Sequence, residues 1–228
     1  MTRMIRLSLA MVLTVGLAAG TAFAQGTPAP AEAKAKPAPP ADAKAAPPAG
    51  APAMDPKKAA EMQKMMEAMQ AYGALGPEHA KLKSMAGSWD VATKMWMEPG
   101  MPAQDIPGKA EMKTILGDHY LMQEFSATMM GQPFTGWAII GYDNALKKYE
   151  SIWVDSMGTG MMWAEGTASK DGNTINFTTE ATDPMKKKIV KGREVIRFEG
   201  DKKHVLEMYG PSMKGKEFKM MEITYTKK

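Results

Sequence analysis

From Trp89 onward, apolar and polar residues alternate with a period of two; only the stretch before it carries a helical period. In the leading segment Trp89, Val91, Thr93, Met95 and Met97 fall on one side, and Asp90, Ala92, Lys94 and Trp96 on the other. That alternation predicts a strand with one face buried. Turn signals divide the remainder of the chain. Glu98-Pro99-Gly100, Gly117-Asp118, Gly131-Gln132-Pro133, Asp143-Asn144, Asp171-Gly172-Asn173, Asp183-Pro184, Gly200-Asp201 and Gly215 each interrupt an alternating run. The strands predicted after the first are 109–116, 120–128, 134–142, 148–155, 158–167, 174–181, 188–199, 203–209 and 217–227. About ten short strands in meander order predict an all-β fold, an antiparallel up-and-down barrel. Closure removes the two free edges and encloses room for a small ligand. A two-sheet sandwich is the alternative.

The helical period lies just upstream. Asp55-Pro56 has the chemistry of an N-cap and first helical position, and the helix is predicted to run to about Tyr72, ended by Gly73. Met62, Met65, Met66 and Met69 share one of its faces. A second short helical piece runs from Pro77 to Met85. Residues 55–83 are thus expected to pack on or cap a barrel formed by residues 84–228. Residues 25–54, rich in Ala, Pro and Lys with no aromatic side chain, read as a disordered tether that cannot offset its ordering entropy. Residues 1–24 carry Arg3 and Arg6, an apolar run and Ala22-Phe23-Ala24, the pattern of a secretory signal peptide cleaved before Gln25. Export to the periplasm or beyond is the expectation, with no integral membrane span left after cleavage.

Charge and composition narrow the functions. The net charge is +4, and removing Arg3 and Arg6 with the leader leaves +2, too little to imply nucleic acid as a partner. The chain has no cysteine, which removes disulfides, thiolate metal sites and cysteine nucleophiles. His79, His119 and His204 occupy no metal-ligand spacing, and no nucleophile, phosphate-loop or dinucleotide motif occurs. The expectation is no enzyme, no catalytic residue, no metal site and no cofactor. The 24 methionines raise a copper-handling alternative, because thioethers suit Cu(I). Their spread along the chain fits a general use of methionine as an apolar filler.

Gly87-Ser88-Trp89 stands after a helix and at the head of the strand run. This resembles the calycin group, in which the tryptophan of G-x-W closes one end of a lipocalin-like barrel. Gly87 and Trp89 would then be structural. Met95 to Gly100, Gly141-Tyr142-Asp143, Trp153 to Gly160 and Glu217 to Glu222 are similar to segments of a bacterial domain-of-unknown-function family, number 1579. That resemblance implies an exported lipocalin-like domain and brings no functional residues with it.

Two constellations are candidates for binding. Tyr149, Ser151, Trp153 and Asp155 share one face of a predicted strand, an aromatic and polar lining suited to orienting a small molecule. Arg193 and Arg197 are the only arginines beyond the leader and also share a face. Turned inward they would anchor an anionic head group; turned outward they would pair with Glu207, Glu217 or Glu222. With Trp89 at the closed end, a pocket would open near Met97. The expected function is binding of a small hydrophobic or amphipathic ligand. Copper handling through methionine, or a structural envelope module with a filled barrel, are the alternatives.

Overall fold

The computed structural model describes residues 55–228, so the signal peptide assigned to 1–24 and the tether assigned to 25–54 lie outside the described residues. Two helices, α1 (Pro56–Tyr72) and α2 (Pro77–Ser84), precede ten strands. These are β1 (Gly87–Met95), β2 (Gln104–Ile115), β3 (Tyr120–Met129), β4 (Gln132–Asp143) and β5 (Lys148–Asp155). The remainder are β6 (Met162–Ala168), β7 (Thr174–Asp183), β8 (Lys188–Phe198), β9 (Lys203–Pro211) and β10 (Glu217–Lys227). Each strand pairs antiparallel with its sequence neighbours, and β1 pairs with β10 to close the barrel. The barrel, not the sandwich, is the observed solution.

Register fixes which side chains face inward, because directly paired residues share a face of the sheet. Val91 lies opposite Tyr225, which lies opposite His204; Thr93 lies opposite Ile223 and Ile106. The innermost positions near the α2 end are closely packed: Trp89, Met112, Leu121, Ile175, Ile196 and Tyr225 are all buried. This end is sealed. Trp89 donates its indole N–H to the Met85 carbonyl at 2.9 Å, and α2 supplies buried Leu82 beneath it. Gly87 allows the approach: its φ of +137° suits glycine, and a Cβ there would meet the Lys227 side chain at 2.8 Å.

Asp55 caps α1 as expected, accepting from the Lys57 amide at 2.8 Å. The packing expected for this helix is not observed. α1 buries no residue, and Met62, Met65, Met66 and Met69 are all exposed. Only its C-terminal end is tied down: Asn144 donates to the carbonyls of Tyr72 and Ala74 at 2.8 and 2.7 Å. Capping falls to α2 alone, a shorter helix whose His79 and Leu82 reach the barrel.

Candidate functional site

At the other end of the barrel the inner wall includes half-buried residues, among them Trp153, Asp155 and Met129. Tyr149, Ser151, Trp153 and Asp155 lie opposite Tyr142, Ile140, Ala138 and Gly136, on the face that carries the core. All four therefore line the lumen. Tyr149 is buried near the sealed end, and desolvation pushes its phenol up to about 12. Trp153 donates its indole N–H to Asp155 at 2.9 Å, and Asp155 also caps the Met157 amide, so the pair forms part of the rim.

Glycine shapes this wall. A Cβ at Gly136 would collide with the Trp153 ring, and one at Gly108 would stand 2.9 Å from the Phe125 ring. Both aromatic rings thus lie along the wall over a glycine. Residues midway along the inner face, including Leu206, Met208, Met221 and Ile223, are accordingly only half-buried in strands whose sealed ends are fully buried.

Polar side chains interrupt the apolar lining, among them Thr93, Gln123, Tyr225 and Glu194. Thr93 is buried, and its hydroxyl has no partner. Gln123 donates its amide to the Tyr225 hydroxyl at 3.3 Å. Burial pushes Tyr225 up to about 12. Glu194 is 6 % exposed and lies on β8 between Phe177 of β7 and Met208 of β9. Desolvation raises its carboxyl to about 7. Glu194 and Thr93 are not picked out as site residues by sequence pattern alone. The signal was there for Glu194: it stands two residues before Ile196 and four before Phe198, in phase with residues assigned to the core.

Arg193 and Arg197 are on the outside, so they are not the anchor that an inward face would have made. Arg193 forms a two-pronged pair with Glu217 at 3.0 and 3.1 Å and stacks on the Tyr209 ring. Arg197 meets Glu207 at 2.6 Å. Glu207 also receives Tyr209 and Lys219; the Arg197 bond, then the others, hold its carboxyl at about 2 against the opposing effect of burial. This is a cross-strand ionic ladder on the outer wall. Met97 is half exposed in the loop beyond β1, at the mouth.

The histidines serve structure. His79 accepts from the Gly76 amide at 3.0 Å. The His119 ring nitrogens face the carbonyls of Leu116 and Gly73 at 2.8 and 3.0 Å, and these carbonyls, Gly73 first, raise its pKa. His204 stacks on Tyr225 with ring centres 4.4 Å apart and meets Trp89 edge-on at 4.6 Å. Burial, aided by the charge of Lys81, lowers it to about 4. Among the described residues, no group of three or more His, Asp or Glu side chains is placed to hold a metal. A groove of about 670 Å³ runs from the end of α1 along β4 to β7, lined by outer-face residues such as Tyr120, Ile152 and Trp163 and by the inner-face residues Tyr142, Ser151 and Ala164. Its walls also carry Glu150, Glu165, Glu180 and Lys191, as expected of a solvated outer face. No helix among the described residues is long and apolar enough to cross a membrane.

This architecture has a relative of known structure. The crystal structure of Rv2717c from M. tuberculosis superposes with a TM-score of 0.51 at 14 % identity, covering 68 % of this chain and 99 % of that one. At that identity the likeness is one of fold. A redesigned β-barrel, b11L5F_LGL, matches more loosely, with a TM-score of 0.35 at 11 % identity over 64 % of this chain and 94 % of that one. No curated protein matches the chain. The sequence family described as Protein of unknown function (DUF1579) matches residues 74–227, from the linker before α2 through the last strand, and the chain belongs to that family.

Proposed function

We propose that this protein is exported and holds one small apolar or amphipathic molecule in the lumen of its barrel, without transforming it chemically. The observation that carries this reading is the inner wall. Trp153 and Phe125 lie over glycines, and mid-strand residues such as Met208 and Ile223 stay partly accessible. A barrel needed only as a scaffold gains more by filling its interior to crystal-like density. Methionine in the lining suits a ligand whose shape varies, since the thioether side chain repacks easily. Export rests on the leader-like residues 1–24.

The test is native mass spectrometry of the full chain purified from its host, beside Gly136→Leu. A leucine side chain at residue 136 must drive the Trp153 ring toward the lumen. A co-purifying small mass on the wild type, absent from a folded Gly136→Leu protein, is the expected result. A bare polypeptide mass, with no uptake of an apolar fluorescent probe by either protein, would refute it.

A second reading has its own observation. Trp137 and Trp163 are exposed on the outer wall, beside the half-buried Ile139 and Ile152. Such a patch suits an envelope interaction module. In that case the mass-spectrometric experiment returns the bare chain.

A further inference from the structure

The lumen carries one feature that an apolar ligand alone does not use. Glu194 is nine-tenths buried on the inner wall and has no hydrogen-bond or ionic partner among the described residues. Its ladder neighbours are Phe177 on one side and Met208 on the other, and the row continues through Met221 to Met95. None of these side chains offers a hydrogen-bond donor. On β1, beyond β9 and β10, the buried Thr93 hydroxyl also has no partner. The Gln123–Tyr225 pair belongs to the same interior, and the Glu194 charge is near enough to raise Tyr225.

The sign of the charge around Glu194 is uniform. The charged side chains on the inner face are Glu194 in the depth, Asp155 and Asp183 toward the mouth, and two lysines at the extreme ends. Of the lysines, Lys188 faces Asp183 across the ladder, and Lys227 gives its ammonium to the Ser84 carbonyl. No lysine or arginine stands on the inner wall between these ends among the described residues, and both arginines are on the outside. Above pH 7 Glu194 is an ionised carboxylate, which accepts hydrogen bonds and makes none, so the group that satisfies it must donate. A neutral hydroxyl supplies one hydrogen bond and no charge. A protonated amine supplies both charge and several N–H donors. Thioethers and aromatic faces next to the site favour a cation further, through their polarisable and negative surfaces.

We propose that the lumen selects ligands with an apolar body and a protonated amine head, held head-inward on Glu194. This rests on the lumen-binding reading and specifies the class of ligand. An anionic amphiphile is disfavoured, because it would bring a like charge to a buried carboxylate.

Three probes of equal chain length separate the possibilities: dodecylamine, dodecanol and dodecanoate, titrated calorimetrically at pH 8, where Glu194 is ionised, into the full chain and into Glu194→Gln. The amine is expected to bind at least tenfold more tightly than the alcohol, with dodecanoate weakest. Glu194→Gln, which keeps the shape and removes the charge, should abolish the amine's advantage and leave the alcohol unchanged. Equal binding of amine and alcohol to the wild type would overturn the role of Glu194 while leaving the lumen as a binding site. Failure of all three probes to bind would remove the lumen reading itself. Stoichiometric copper on the purified protein, retained in Glu194→Gln, would also overturn the proposal by assigning the Met95–Met221–Met208 row to a soft metal. The comparison of amine with alcohol on the wild type stands even if the variant misfolds.

Discussion

Glu194 and His204 are both buried on the inner wall, and burial displaces their pKa values in opposite directions. The Glu194 carboxyl rises from 4.5 to about 7, and the His204 imidazole falls from 6.5 to about 4. Between pH 4.5 and 7 the folded chain holds a proton on Glu194 that the unfolded chain has released, so stability falls as pH rises. Between pH 4 and 6.5 the unfolded chain binds a proton on His204 that the folded chain refuses, so stability rises with pH. Each displacement is worth about 3 kcal/mol across its window. The windows overlap from 4.5 to 6.5, where the slopes oppose each other. The wild type should therefore be nearly flat there, and single substitutions should unmask the hidden slopes. Glu194→Gln should gain about 3 kcal/mol on going from pH 4 to 6.5. His204→Phe, which keeps a ring on Tyr225, should lose about 3 kcal/mol from pH 4.5 to 7. Urea unfolding followed by tryptophan fluorescence, at fixed ionic strength in steps of pH, reads both. Glu207 does not interfere, because its carboxyl, held at about 2, adds stability that is lost only as pH falls below 4.5. A Glu194→Gln profile that overlays the wild type would show that this carboxyl exchanges no proton on folding, and the reasoning from burial would fail.

Two further outcomes rest on the packing. Trp89→Ala removes a ring packed on His204 and Tyr225 and the bond to the Met85 carbonyl, and should cost about 3–5 kcal/mol in a urea melt. A loss below about 1 kcal/mol would contradict the sealed end. Arg197→Ala should cost only about 1 kcal/mol, since Glu207 keeps Tyr209 and Lys219 and the arginine is partly solvated; it should leave dodecanoate affinity unchanged. A drop in that affinity would place the arginine at the ligand.

The strands were legible because a barrel buries one face of every strand, and that face repeats every two residues. Lys148–Asp155 and Glu217–Lys227 match the pattern to the residue. β2 begins earlier than its alternation suggests. Pro107 and Gly108 resemble a break, but residues 104–107 pair only with β1, and proline is tolerated where one side of a strand is free. Gly158 to Met161, by contrast, alternate without pairing and form loop. The lining Tyr149–Asp155 was readable as a face, yet period alone cannot say which face is inside when both carry aromatics. The arginines illustrate the same limit, settled by Ile196 and Phe198 on the opposite face. α1 shows that helical spacing of methionines marks an apolar stripe and says nothing about what covers it.

The inner wall sets stability against use. Glycines at 108 and 136 weaken their strands, and a partnerless Glu194 in apolar surroundings opposes folding. The glycines are held by the rings that lie over them, but a sequence selected for folding alone has a simple remedy at residue 194, a glutamine or leucine. Elsewhere the same chain satisfies its buried polar groups: Glu207 has three partners, and Gln123 has Tyr225. Glu194 and the Thr93 hydroxyl have no hydrogen-bond partner among the described residues, and both are on the inner wall, in a barrel whose mid-strand lining is half-buried. Under the proposed function, an occupant's contacts would supply what these groups lack. On that logic a bound amine should raise the melting temperature of the wild type and leave that of Glu194→Gln little changed, since the variant has already removed the group the ligand would satisfy.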